Sequence, residues 1–185
     1  MKNIFFIILS IFSIFLNAQT VTLETMSQYS PGYYPNADYV KDSNGLLNKY
    51  VGTWKGTLDG TTYEFNFIKK ENVASEFTTT KWDILIGRVK IINSNGVIEF
   101  NNFNNVDNQA NLGYKLQKNL KMYLIYFSGE KLGCVDYGYL YLDVKSETPN
   151  KMSINFHPKN DIVTQDCSNF KTTIPTNKII HLIKQ

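Results

Sequence analysis

Side chains able to do acid–base, nucleophilic or metal chemistry are few and scattered in this chain. Its two histidines, His157 and His181, stand in no metal-binding spacing of the H-E-x-x-H kind. No G-x-S-x-G nucleophile elbow and no phosphate-cradling glycine loop is present. The two cysteines, Cys134 and Cys167, lack the C-x-x-C spacing of a zinc or redox pair. Glu64, Asp83, Glu99 and Asp143 lie on strand-like segments, and two carboxylates facing each other across a barrel would make a glycosidase acid and base. Nothing in the sequence places any two of them together. The expectation is a non-enzymatic protein with no catalytic residue, no metal and no cofactor.

Aromatic side chains are abundant instead: 12 Tyr, 12 Phe and 2 Trp. Tyr137, Tyr139 and Tyr141 alternate with Gly138, Leu140 and Leu142, so a strand there carries all three rings on one face. Facing solvent, they would stack on a sugar or a protein; facing inwards, they would fill cross-strand positions of a core. Tyr63, Phe65 and Phe67 alternate with Thr62, Glu64 and Asn66 and are candidates for lining a ligand lumen. Trp54 is expected as a structural residue that closes the base of the core.

The elements that must position these rings are strands. Gly52 to Leu58, the Asp59-Gly60 turn and Thr61 to Ile68 make a hairpin. Lys81 to Ile92 carries Trp82, Ile84 and Ile86 on one phase and Val89 and Ile91 on the other, which predicts a bulge or bend at Gly87. Asn95-Gly96 turns the chain into Val97 to Phe103. The stretch Asn101 to Asn111, nearly all amide with one aspartate, is expected as a solvated loop, because a calcium site needs several ordered carboxylates. Strands are expected at Leu112 to Gln117, Lys121 to Ser128, Tyr137 to Lys145, Lys151 to His157 and Thr176 to Lys184, with one helical turn at Leu46 to Val51. Short strands at regular spacing predict an all-β fold, an antiparallel β-barrel or alternatively a β-sandwich. Met122 to Phe127 is apolar on both phases, so neither of its faces is expected to be fully wet.

The ends and the composition set the context. Met1-Lys2, an apolar run from Ile4 to Leu16 and Asn17-Ala18-Gln19 predict a signal peptide over residues 1–18, because the run is shorter than the roughly 20 residues a membrane span needs. Residues 19–45, with Tyr29, Tyr33, Tyr34 and Tyr39 among turn formers, are expected as an extended arm, and 46–185 as a single barrel domain. The formal charge of +3 and a lone arginine, Arg88, argue against nucleic acid and against an anion clamp. In an exported chain Cys134 and Cys167 predict a disulfide across a loop of about 34 residues, worth roughly 3–4 kcal/mol by chain-entropy reasoning.

Two resemblances follow from particular residues. Gly52-Thr53-Trp54 at the head of the first firm strand, with Val135-Asp136-Tyr137 further on, resembles the calycins, the lipocalins and fatty-acid-binding proteins. That resemblance implies a barrel with an apolar lumen, although the arginine that covers the tryptophan in those proteins has only Lys178 and Lys184 as candidates here. The whole mature chain, through Tyr50-Val51-Gly52-Thr53-Trp54, Asp83-Ile84-Leu85-Ile86-Gly87 and Asn95-Gly96, resembles a family of short uncharacterised exported bacterial proteins. Two functions are therefore expected. One is an extracytoplasmic carrier that holds a small apolar or amphipathic ligand in its lumen. The other is a protein interaction or inhibitor module that uses an edge strand or the tyrosine-rich face. Neither involves nucleic acid or a membrane-spanning segment.

Overall fold

The hairpin signals translate directly into the first two long strands of the barrel. In the computed structural model, which describes residues 19–30, 35–74, 79–131, 133–163 and 165–185, Asp59 and Gly60 both adopt positive φ, the conformation a tight hairpin demands. They join β3 (Gly52–Leu58) to β4 (Thr61–Ala74). The remaining strands are β1 (Thr20–Thr22), β2 (Tyr39–Lys41), β5 (Lys81–Ile92), β6 (Ile98–Asn101), β7 (Asn111–Leu116), β8 (Met122–Ser128), β9 (Tyr137–Asp143), β10 (Lys151–Pro158) and β11 (Ile179–Lys184). A short helix α1 (Leu23–Ser27) and 3-10 turns at Asn48–Tyr50 and Asp107–Gln109 complete the described elements. No described helix is long and apolar enough to cross a membrane.

Each of β3, β4, β5, β7, β8, β9, β10 and β11 pairs antiparallel with the next, and β11 returns to β3 through Lys184↔Trp54. The result is a closed eight-stranded antiparallel barrel of the up-and-down kind, with extra strands outside it. This is the barrel expected, not the sandwich. Its thinnest seams have two register pairs each: β5–β7, through Ile86↔Leu112 and Gly87↔Asn111, and β11–β3, through Ile183↔Lys55 and Lys184↔Trp54. The edge of β5 that meets β7 also carries β2 at Lys81–Trp82 and β6 at Lys90–Ile92.

An eight-stranded barrel is just wide enough for side chains to fill. Trp54, Phe65, Phe67, Val89, Ile125, Phe127, Leu142, Ile154 and Phe156 are all 2% exposed or less and belong to one buried cluster. Phe65 stacks on Phe67, and Phe127 meets Phe156 edge-on at 5.6 Å. Of the bulge or bend expected at Gly87, the bulge falls elsewhere. Pairing of β4 with β5 runs unbroken from Thr62↔Ile92 to Lys70↔Ile84, and the irregularity falls on β4 between Lys70 and Val73. Gly87 is a glycine because a Cβ there would lie 2.9 Å from the Phe67 ring that crosses over it.

Both ends are plugged. At the base, the 3-10 turn Asn48–Tyr50 lies under the barrel, and Tyr50 O accepts the Trp54 indole N–H at 2.7 Å. Lys184 Nζ stands 5.3 Å over the Trp54 ring and covers it from the C-terminal strand. At the top, buried Ile174 joins the core. The buried Asp136 carboxylate there accepts from Thr173 N–H and Thr173 Oγ1, both at 2.7 Å. Cys134 and Cys167 are bonded, with Cα atoms 5.9 Å apart, and tie the β8–β9 loop to the β10–β11 loop.

The described residues of the stretch 19–45 run along the barrel wall and are stitched to it. β1 lies parallel to β2, and β2 lies parallel to β5. Leu23, Met26, Ala37 and Val40 reach the core. Two buried aspartates make the stitches. Asp83 accepts from the Tyr39 hydroxyl (2.5 Å), Asp42 N–H and Asn72 N–H. Asp42 accepts from Leu46 and Leu47 N–H and pairs with Lys69 at 2.9 Å. Burial, and then the Asp83 carboxylate it donates to, push the Tyr39 hydroxyl up to about 12. The expected signal peptide, and Tyr33 and Tyr34 of the arm, lie outside the described residues.

Candidate functional site

The strand period of two sends alternate side chains of β8 and β9 to opposite sides of the wall. Tyr123, Ile125, Phe127, Leu140 and Leu142 go inwards and are buried. Tyr126, Tyr137, Tyr139 and Tyr141 go outwards and are half-buried. The register opposes Tyr126 to Tyr139, and Tyr139 to His157 on β10. Tyr126 packs edge-on against Tyr139 at 5.9 Å and lies 6.3 Å from Tyr137. Tyr141 meets His157 at 4.8 Å.

A fifth ring joins through a bulge. Gly113 pairs with Ile125 and Lys115 with Leu124, which leaves one extra residue, Tyr114, on β7. Such an insertion re-aims a side chain, and here the Tyr114 ring stacks on Tyr139 at 5.1 Å. Lys159, just past β10, carries its ammonium 5.2 Å from the Tyr126 ring centre and 5.5 Å from that of Tyr139. Partial burial, with Tyr139 and Asp161 nearby, raises the Tyr126 hydroxyl above its ordinary value.

A cleft of about 310 Å³ adjoins this face, between β8 and the segment linking β6 to β7. Asn105, Asn108, Gln109, Leu112, Tyr126, Ser128 and Glu130 are among the side chains around it. The segment was expected as a solvated loop and is held far more firmly than that. Buried Asn102 accepts Val89 N–H at 2.6 Å. Buried Asn111 donates to Gly87 O and accepts from Ser128 N–H. Arg88 donates to Asn105 O and pairs with Asp107 at 2.7 Å, while Lys70 pairs with the same carboxylate at 2.9 Å. Hydrogen bonds from Lys70 and then Arg88 hold the Asp107 carboxyl below its ordinary range. The lone arginine therefore anchors a loop. A second cleft of about 470 Å³ opens beside Asn48, Val51, Ile68, Lys69 and Lys184 at the base.

Tyr63, Phe65 and Phe67 all face the packed interior, at 6%, 0% and 0% exposure. The structure therefore separates them from Tyr137, Tyr139 and Tyr141 by the thickness of the wall. The four strand carboxylates have separate surroundings: Asp83 under Tyr39, Glu99 accepting from Asn93, Asp143 near Lys49 and Tyr50, and Glu64 between Lys55 and Lys90 in register. His181 Nδ1 lies 3.2 Å from Ser153 Oγ on the exposed side. Among the described residues no three His, Cys, Asp or Glu side chains converge as a metal site. Tyr114 and Tyr126 had no place in the sequence expectation. Tyr126 was legible as half of a two-phase apolar strand, and the isolated strand glycine Gly113 was the local signal for the bulge that re-aims Tyr114.

No curated protein and no solved structure matches the chain. A family model covers residues 1–185 from end to end, and the chain belongs to that family of unknown function, DUF6705.

Proposed function

We propose that this protein is an exported, non-catalytic binding module whose working surface is the outer tyrosine face of β7, β8 and β9. The observation that carries this reading is the gathering of Tyr114, Tyr126, Tyr137, Tyr139 and Tyr141 on the outside of a barrel whose interior is occupied by its own rings. Tyrosine supplies a large contact area with a polar tip at low entropic cost, which suits recognition better than it suits a solvated wall. The filled interior supports the outer face over the ligand lumen as the place of binding.

Export is supported by the apolar start, whose cleavage after Ala18 would leave Gln19 first, and by the disulfide. N-terminal sequencing of the extracytoplasmic protein should begin at or within a few residues of Gln19; intact Met1 there would refute it.

The binding face is tested with a photo-cross-linking benzoylphenylalanine placed at Tyr137, and as a control at Lys55 on β3, in the producing cells. The Tyr137 variant should give a discrete adduct and the Lys55 variant none. No adduct at Tyr137, together with one-to-one binding of an apolar fluorescent probe that Phe65→Lys abolishes without unfolding the chain, would move the function back into the lumen.

A further inference from the structure

The cleft beside Tyr126 has a chemistry of its own. Asn108 and Gln109 stand exposed at its rim on a segment pinned by Asn102, Asn111 and the Arg88–Asp107 pair. A primary amide offers two N–H donors and a carbonyl acceptor side by side, which matches the donor and acceptor pairs of adjacent hydroxyls. Ser128 and Glu130 add further acceptors on the opposite rim.

An aromatic ring presents its negative face to polarised C–H groups, and Tyr126 stands where the cleft meets the tyrosine row. No lysine or arginine is among the described residues around the cleft, which disfavours a phosphate or carboxylate ligand. The amides disfavour an apolar one. The volume is at the small end of the range for ligand sites. Past Tyr126 the surface continues over Tyr139 and Tyr137. That continuation suits a chain of rings better than a single one.

Resting on the tyrosine face as the working surface, we propose that the cleft and the adjoining rings bind a neutral oligosaccharide. Asn108 and Gln109 hydrogen-bond its hydroxyls, and Tyr126 stacks on a sugar face.

The test is an NMR titration of the mature protein with cellohexaose, maltohexaose and chitohexaose, with oligogalacturonate as the acidic counterpart. At least one neutral oligosaccharide should shift the side-chain amides of Asn108 and Gln109 and the backbone amides from Tyr126 to Ser128. Asn108→Ala and Tyr126→Ala should each weaken that binding about tenfold, the size of one lost net hydrogen bond or stacking contact. Asn108 is exposed, so its variant keeps the test valid if Tyr126→Ala loosens the wall. The proposal is overturned if none of the neutral sugars shifts these signals at millimolar concentration, if oligogalacturonate binds more tightly, or if binding survives both substitutions. A protein adduct at Tyr137 with the cleft silent to sugars would retire the oligosaccharide and leave the tyrosine face standing. Sugar shifts in the cleft without any adduct at Tyr137 would confine binding to the cleft.

Discussion

Tyr123 and Tyr126 stand on one strand and serve opposite sides of the wall. Tyr123 is 1% exposed, and its hydroxyl accepts Leu85 N–H at 3.4 Å inside the barrel. With Tyr50, 6.0 Å away, it fills the lower core. On the outer side Tyr126, Tyr114, Tyr137 and Tyr139 meet ring to ring, Lys159 stands over Tyr126 and Tyr139, and Tyr141 packs on His157. The inner rings are needed to exclude water from the core, so the fold explains them. The outer rings are not, and a surface that concentrates tyrosine beyond what folding demands marks a place of contact.

The comparison breaks most sharply at the core. Phe127→Ala should cost about 3–5 kcal/mol, because the ring contacts both Phe100 and Phe156 and leaves a cavity that its neighbours fill only in part. Urea unfolding measures it. A cost no larger than that of an outer ring would remove the distinction.

The hydrogen-bonded and buried hydroxyls, Tyr50 and Tyr123 in the core and Tyr39 on the arm, sharpen it through pH. Burial raises those of Tyr50 and Tyr123, and Tyr39 is pushed from 10.0 to about 12. A raised folded value means that the folded chain holds its proton longer than the unfolded one. The contribution is therefore complete below pH 10 and is lost as the pH climbs towards 12. The denaturation midpoint should fall across that window, and Tyr39→Phe should flatten part of the fall. A midpoint independent of pH there would contradict the buried hydrogen-bonded hydroxyl.

The smallest effect belongs to the outer wall. Tyr139→Ala should cost about 1–2 kcal/mol, less than Phe127→Ala, while removing the ring that Tyr114 and Tyr126 share. Intact circular dichroism with a lost cross-link would place its role in contact and not in folding.

Much of the barrel was legible because its signals are local. The Asp59-Gly60 turn, the alternation in Tyr63, Phe65 and Phe67, and the file of Tyr137, Tyr139 and Tyr141 depend on neighbours one or two residues apart. Gly87 was read as a bulge or bend because the apolar phases around it differ. The deciding fact is the Phe67 ring across the strand pair, which local sequence does not contain. The amide segment was read as solvated for a similar reason: its anchors are Val89, Gly87 and Arg88 on another strand. The arm looked extended because its apolar residues are sparse, yet buried Asp83 accepts Asp42 N–H from 41 residues away and Asp42 pairs with Lys69 on β4, contacts that local sequence does not contain. Lys184 became the cover of Trp54 only when the barrel closed.

That closure also sets an order in time. β11 completes the ring by pairing with β3, so the barrel stays open, with two unpaired edges and an exposed core, until the region around Ile179–Lys184 has left the ribosome. Chains whose first and last strands must find each other fold slowly, because the loop entropy is spent before the contact is made. A nascent chain of this design cannot close its barrel before β11 has emerged, and an open barrel lies nearer the threadable state that passage through a protein-conducting pore requires.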